Sequence, residues 1–193
     1  MHEQSKAAKR RFDDGNFHNR YFIGRGIDIG CGVDSLNNLR HVFRGIQEVK
    51  AWDLPDGDAQ YMATISDNQF DFVTSSHCLE HMKNPYEALN NWIRICKPNG
   101  YLVITIPDRE MYEQGNWPSI YNDDHKFTFS MKKFSNPENI YVLEFLHHFA
   151  INNIITVEKI EVIRDFYYEN IPPQDQTFHP CIESCIEIIL KKL

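Results

Sequence analysis

The chain has 193 residues, 42% of them hydrophobic and 24% charged, with 20 Lys+Arg against 27 Asp+Glu. That size suits one α/β domain spanning 1–193 with a full core, and a net charge of -7 gives no overall attraction for nucleic acid or an anionic membrane surface. No apolar run reaches the length of a membrane-crossing helix, the charged N-terminus is no secretory leader, and the five cysteines form no CxxC pair, so reduced thiols in a cytoplasmic protein are expected.

Residues 1–20 read as a polar helix or arm, with Lys6, Lys9, Arg10 and Arg11 on a solvated face. The run 26–29, "GIDI", is a short buried strand that stops at Gly30-Cys31-Gly32, a tight turn over which a ligand can approach the backbone. Further strands are expected near Val49–Asp53, at Phe70–Ser75 and at Tyr101–Pro107, with a helix at Pro85–Ile95. Strands spaced by helix-length segments predict parallel βαβ units in one sheet covered on both faces. Residues 109–130 are rich in aromatics and turn formers and lack a period, which suggests a functional loop on the acceptor side. A helix is expected around Asn139–Phe149. The stretches Ile155–Asp165 and Cys181–Leu190 alternate apolar and polar residues, and the prolines between them forbid a helix, so these two strands should pair antiparallel.

The glycine turn fits either a dinucleotide or S-adenosylmethionine, and so does Asp53, an acid 21 residues beyond Gly32 that can accept both hydroxyls of a ribose. Two features separate the cofactors. The turn reads Gly30-x-Gly32-x-x-Ser35, without the third glycine that a pyrophosphate site uses for close packing. Asp28, two residues before Gly30, suits a cationic aminoacyl group and is ill placed beside a pyrophosphate.

With "GDAQ" at 57–60, "FDFVTSSHCLEHM" at 70–82 and "RICKPNGYLVITIP" at 94–107, the chain resembles the class I S-adenosylmethionine-dependent methyltransferases of the compact small-molecule type. The likeness runs from residue 22 to 190. It implies a Rossmann-like, mostly parallel sheet of order 3-2-1-4-5-7-6 with helices on both faces and an antiparallel C-terminal hairpin. Residues 54–69 leave little room for a third strand, so that edge strand is expected to be short or absent. Asn99 stands where a second glycine is usual. The resemblance assigns the cofactor to Asp28, Gly30, Cys31 and Gly32 at the turn, to Asp53 and Leu54 at the ribose, to Asp58 and Ala59 beside the adenine, and to Ser75 and Ser76 at the next strand end.

Methyl transfer to a hydroxyl needs a base, and two histidines qualify: His77, leaving the strand at the edge where such sheets open, and His125, in "YNDDHKFTF". His81 reads as a structural helix-start residue. Tyr112, Trp117, Tyr121 and Asp124 are the candidate acceptor contacts. "HCLEH" also matches H-x-x-E-H, but zinc chemistry there needs both histidines and the glutamate on one unbroken helix, and the preceding residues form a strand, so no metal ligands are assigned. The general look is similar to enzymes that methylate sugars of bacterial capsule or lipopolysaccharide, which implies a carbohydrate acceptor, no nucleic acid and no membrane insertion. A homodimer is compatible with the sequence. The competing readings are a non-catalytic S-adenosylmethionine-binding module and an NAD-dependent oxidoreductase.

Overall fold

Ile27 and Ile29 have no exposed surface, and Asp28 between them is buried too, so this stretch is an inner strand of a sheet covered on both faces. The computed structural model describes residues 2–193. The first strand, β1 (Gly24–Ile29), is flanked in parallel by β2 (Ile46–Trp52) and β3 (Phe70–Ser76), and β3 pairs in parallel with β4 (Cys96–Pro107). A short parallel pair, β5 (Thr128–Ser130) with β6 (Asn139–Tyr141), stands apart. The chain closes with β7 (Ile155–Ile163) and β8 (Cys185–Lys192), antiparallel to each other, and β8 runs antiparallel to β4. The main sheet has the order β2-β1-β3-β4-β8-β7.

This is the expected Rossmann-like architecture, but it lacks the outermost strand of the seven-strand order. Residues 54–69 form turns instead. Arg94 gathers them, donating to the carbonyls of Ile65 (2.8 Å) and Met62 (3.0 Å) and to Asp67 (2.7 Å). The outer strand is therefore β2, with Gln47, Glu48, Lys50 and Ala51 exposed.

Helices α2 (Pro85–Ile95) and α3 (Val142–Ala150) cover one face through Trp92, Leu89, Phe145 and Phe149. Asn84 starts α2 by accepting from the amides of Tyr86 and Glu87, a cap worth about 1 kcal/mol. The helix expected at 139–149 begins three residues later because Asn139–Tyr141 is drawn into β6. The opposite face is closed by Phe17, Phe22, Leu36 and Phe43, packed on Phe72, Val103 and Ile189.

The N-terminal helix α1 (Glu3–Asp13) corrects the reading of a solvated basic face. Lys9 is exposed, but the Lys6 and Arg11 side chains are only 2% and 1% exposed. Arg10 and Arg11 reach carboxylates of Glu183 and Glu187 at 2.8–3.2 Å. Their charges are buried because acids of the last strand region wait beneath them, which composition along α1 alone does not reveal.

No helix among the described residues is long and apolar enough to cross a membrane.

Candidate active site

The turn after β1 is built by two positive-φ glycines, Gly30 (φ 71°) and Gly32 (φ 51°). A Cβ on Gly30 would lie 2.5 Å from the Cys78 sulfur, so only glycine fits. A Cβ on Gly32 would meet nothing closer than the Asp53 carboxylate at 3.9 Å and would project into open space. Asp53 is held at the end of β2 by the amide of Gly32 on Oδ2 and that of Leu54 on Oδ1, both at 2.8 Å.

These residues border a cavity of about 870 Å³ along the carboxyl edge of the parallel strands, where ligands of open α/β sheets bind. Asp28, Gly30, Cys31 and Gly32 line it from β1 and its turn. Asp53, Leu54, Asp58 and Ala59 line it from the segment after β2, and Ser76 from the end of β3. Ser75 does not line it; its buried hydroxyl donates to the Ile29 carbonyl at 3.0 Å and ties β3 to β1. Trp92 fixes the Asp58-Ala59 turn by donating its indole N–H to the Ala59 carbonyl at 2.9 Å.

His77 forms the deep wall. Its backbone is turned to φ 51° where β3 ends, and its amide donates to the Thr105 carbonyl at 2.9 Å. Neither ring nitrogen has a hydrogen-bond partner, although the ring is buried. Burial, helped by the charges of Lys6, His125 and His81, holds its pKa well below the ordinary value, so the ring is neutral. Its nearest carboxylate is Glu3 of α1, with Nε2 to Oε2 at 3.8 Å. Burial pushes Glu3 up to about 7 against the pull of Lys6.

His125 lies behind the cavity wall. Its Nδ1 is 2.8 Å from Glu113 Oε1, and its ring packs 5.4 Å from Tyr112. Burial pulls its pKa down, but the bond to Glu113 and the charge of Glu80 outweigh this and raise it. Of the expected acceptor contacts, Asp124 lines the cavity. Tyr112 is buried and donates to Asp175, Tyr121 donates to Gln114, and Trp117 is half-buried away from the cavity.

Among the lining residues that were not anticipated are Glu3 and Gln4 from α1, and His81 and Lys83 after β3. A signal for the first pair exists in the spacing of Glu3, Ala7 and Arg11, one helical stripe with a small apolar residue between polar ones, all buried. His81, expected to be structural, borders the cavity with its Nδ1 2.9 Å from Asp124 Oδ2.

The donor set fits S-adenosylmethionine. Asp28 has no exposed surface, accepts from the Leu36 amide and the Gln4 side chain, and is pushed up to about 7 by burial. A buried carboxylate facing a cavity without a bonded cation suits an ammonium group. The open space at Gly32, in front of Asp53, suits a ribose.

Residues 5–136 match the family described as "Methyltransferase domain". No curated protein matches the chain. Among solved structures, the chain is similar to a SAM-dependent methyltransferase from Archaeoglobus fulgidus, with 21% identity and a TM-score of 0.61 over 98% of this chain and 94% of that one. It is also similar to a chain of the complex between the Haloferax volcanii Trm112 methyltransferase activator and a methyltransferase, with 14% identity and a TM-score of 0.63 over 98% and 92% of the two chains. At these identities the likeness is one of fold.

Proposed function

The chain belongs to the methyltransferase-domain family and takes S-adenosyl-L-methionine as its methyl donor; from that premise we propose that it methylates a hydroxyl of a sugar, sugar phosphate or nucleotide-linked sugar in surface-polysaccharide biosynthesis, with His77 as the base. The observation that carries this reading is the His77 ring, buried, neutral and without a hydrogen-bond partner on the wall of the cavity.

Asp53 would accept the ribose hydroxyls, Asp28 would face the aminoacyl ammonium, and Asp58 and Ala59 would border the adenine. When bound, S-adenosyl-L-methionine supplies an electrophilic methyl group on a sulfonium. The chain's own part is to hold the acceptor oxygen in line, which is worth ~7–11 kcal/mol, and to remove its proton, which adds ~10²–10⁴-fold. His77 Nε2 takes that proton. The Glu3 carboxylate, 3.8 Å away, stabilises the imidazolium as it forms. The acceptor end of the cavity offers His81, Lys83, Asp124 and Lys126, hydrogen-bonding and charged groups that suit vicinal hydroxyls or a phosphate better than an apolar ring.

Calorimetry with S-adenosylhomocysteine should show binding that Asp53→Ala weakens tenfold or more, on the order of 1.4 kcal/mol. Transfer of labelled methyl groups to a panel of sugars and nucleotide sugars should then fall by ~10²–10⁴-fold in His77→Ala, with S-adenosylhomocysteine still bound. Full turnover in His77→Ala would remove the base assignment, and a wild-type chain that binds S-adenosylhomocysteine yet methylates no hydroxyl acceptor would sink the acceptor class.

A further inference from the structure

Glu80, His81 and His125 converge in a way that methyl transfer by His77 does not use. Glu80 has no exposed surface, and both of its carboxylate oxygens lack any hydrogen-bond partner among the described residues. A buried carboxyl group left without a hydrogen-bond partner bears the full cost of losing its water. His81 Nε2 lies 3.8 Å from Glu80 Oε1, and His125 Nε2 lies 3.9 Å from the same oxygen. One ligand atom from each of the three residues lies within 4.8 Å of the other two.

The far sides of the two rings are equally telling. His81 Nδ1 is 2.9 Å from Asp124 Oδ2, and His125 Nδ1 is 2.8 Å from Glu113 Oε1. In the neutral rings each carboxylate holds the proton on Nδ1, which leaves Nε2, the nitrogen that approaches Glu80, with the lone pair a metal needs. A carboxylate behind each imidazole is the arrangement by which proteins orient metal-binding histidines. The backbone fixes the two halves in register, since the Glu80 carbonyl accepts from the amides of Lys126 (2.9 Å) and Phe127 (3.1 Å), next to His125.

We propose that Glu80, His81 and His125 bind one divalent transition-metal ion through a carboxylate oxygen and the two Nε2 atoms. A point equidistant from three atoms with these separations lies at most about 2.5 Å from each, so a shift of a few tenths of an ångström brings the donors to bonding distances of about 2.0–2.2 Å. Two imidazoles and one carboxylate suit Zn²⁺ or Mn²⁺; Mg²⁺ prefers oxygen donors throughout. His81 borders the cavity, so the free coordination positions open toward the acceptor end. An ion there would bind an acceptor hydroxyl beside His77 and lower its pKa. That use rests on the methyl-transfer reading, whereas the ion site itself does not.

The test is calorimetric titration of chelator-stripped protein with Zn²⁺, Mn²⁺ and Mg²⁺, each alone. One equivalent of Zn²⁺ or Mn²⁺ per chain is expected, bound at least tenfold more tightly than Mg²⁺. His81→Ala and Glu80→Gln should each weaken it tenfold or more. Glu113→Gln, which touches no ion, should weaken it by ~10–100-fold through the lost support of His125, and serves should either of the other variants fail to fold by circular dichroism. No saturable equivalent, an equivalent kept at full affinity in the folded variants, or Mg²⁺ binding as well as Zn²⁺ and Mn²⁺ would overturn the proposal. S-adenosylhomocysteine titrated into the same samples keeps the two readings apart: its binding without metal binding overturns the ion site alone.

Discussion

Two buried carboxylates, Glu187 beneath α1 and Glu80 after β3, are settled in opposite ways. Glu187 is fully buried yet accepts from Arg11 at 2.9 Å, from Arg10 at 2.9 Å and from Lys159 at 3.2 Å, while Arg10 also forks onto Glu183. Burial opposes the Glu187 charge, but the two guanidiniums overcome it and hold the group down at about 2. Glu80 is as deeply buried, keeps both oxygens without a hydrogen-bond partner and has its pKa raised by that burial. The first group pins a helix to the sheet. The second, whose side chain pairs with nothing in the fold, is where a ligand has something to gain. A buried carboxylate thus signals architecture or a site according to whether the chain supplies its partner.

The largest expected effect breaks the settled group. Arg11→Ala leaves Glu187 short of its most buried cation and should cost about 3–5 kcal/mol in urea unfolding. A cost below about 1 kcal/mol would mean that Arg10 and Lys159 alone satisfy Glu187.

Acid titration compares the groups without mutation. Glu187 titrates at about 2 in the fold and at 4.5 ordinarily, so its stabilisation is present above 4.5 and is lost as pH falls toward 2. Glu3 and Asp28, raised to about 7 from 4.5 and 3.8, hold protons in the fold that the unfolded chain has released, so their effect is a loss of stability as pH rises toward 7. Urea midpoints across pH should therefore peak near pH ~4. S-adenosylhomocysteine, with its ammonium against Asp28, should flatten the fall above the peak, and an unaltered profile would place the ammonium elsewhere.

Smaller is the gain expected from Glu80→Gln. Removing an unpartnered buried charge should raise stability by about 1 kcal/mol even as the ion site is lost, whereas a destabilised variant would show that Glu80 is already satisfied. Least of all, Arg25→Ala removes an exposed ion pair with Glu48 and should move the unfolding free energy by no more than about 0.5 kcal/mol.

The sequence made legible whatever local geometry enforces. Gly30, Gly32 and Asp53 were readable because a turn without a Cβ and an acid at the next strand end are demands of backbone and spacing. Gly100 belongs with them, since a Cβ there would lie 2.6 Å from the Asp71 carbonyl. Asn99 fills its position at φ 65°, a conformation asparagine tolerates better than most residues. The role of Arg94 in replacing a strand was less visible, because its carbonyl partners carry no side-chain code. The folding of α1 over the cavity was invisible, since it depends on acids some 170 residues away in the chain. For the same reason "HCLEH" was misleading on its own. Glu80 and His81 meet His125 only because the short turn Leu79–His81 faces a loop that delivers it from 44 residues downstream.

The missing outer strand also bears on how copies of this chain behave at high concentration. No strand pairs with its far side among the described residues, and apart from the Gln47 carbonyl, which accepts from the Arg40 side chain, β2 presents a margin of amides and carbonyls on which a neighbouring chain can zip. Glu48 and Lys50 stand on that margin with alternating sign, so a second copy laid alongside must set charges against one another in one register or strip them of water in the other. A lost strand has thus left a margin whose two charged side chains guard it against self-association.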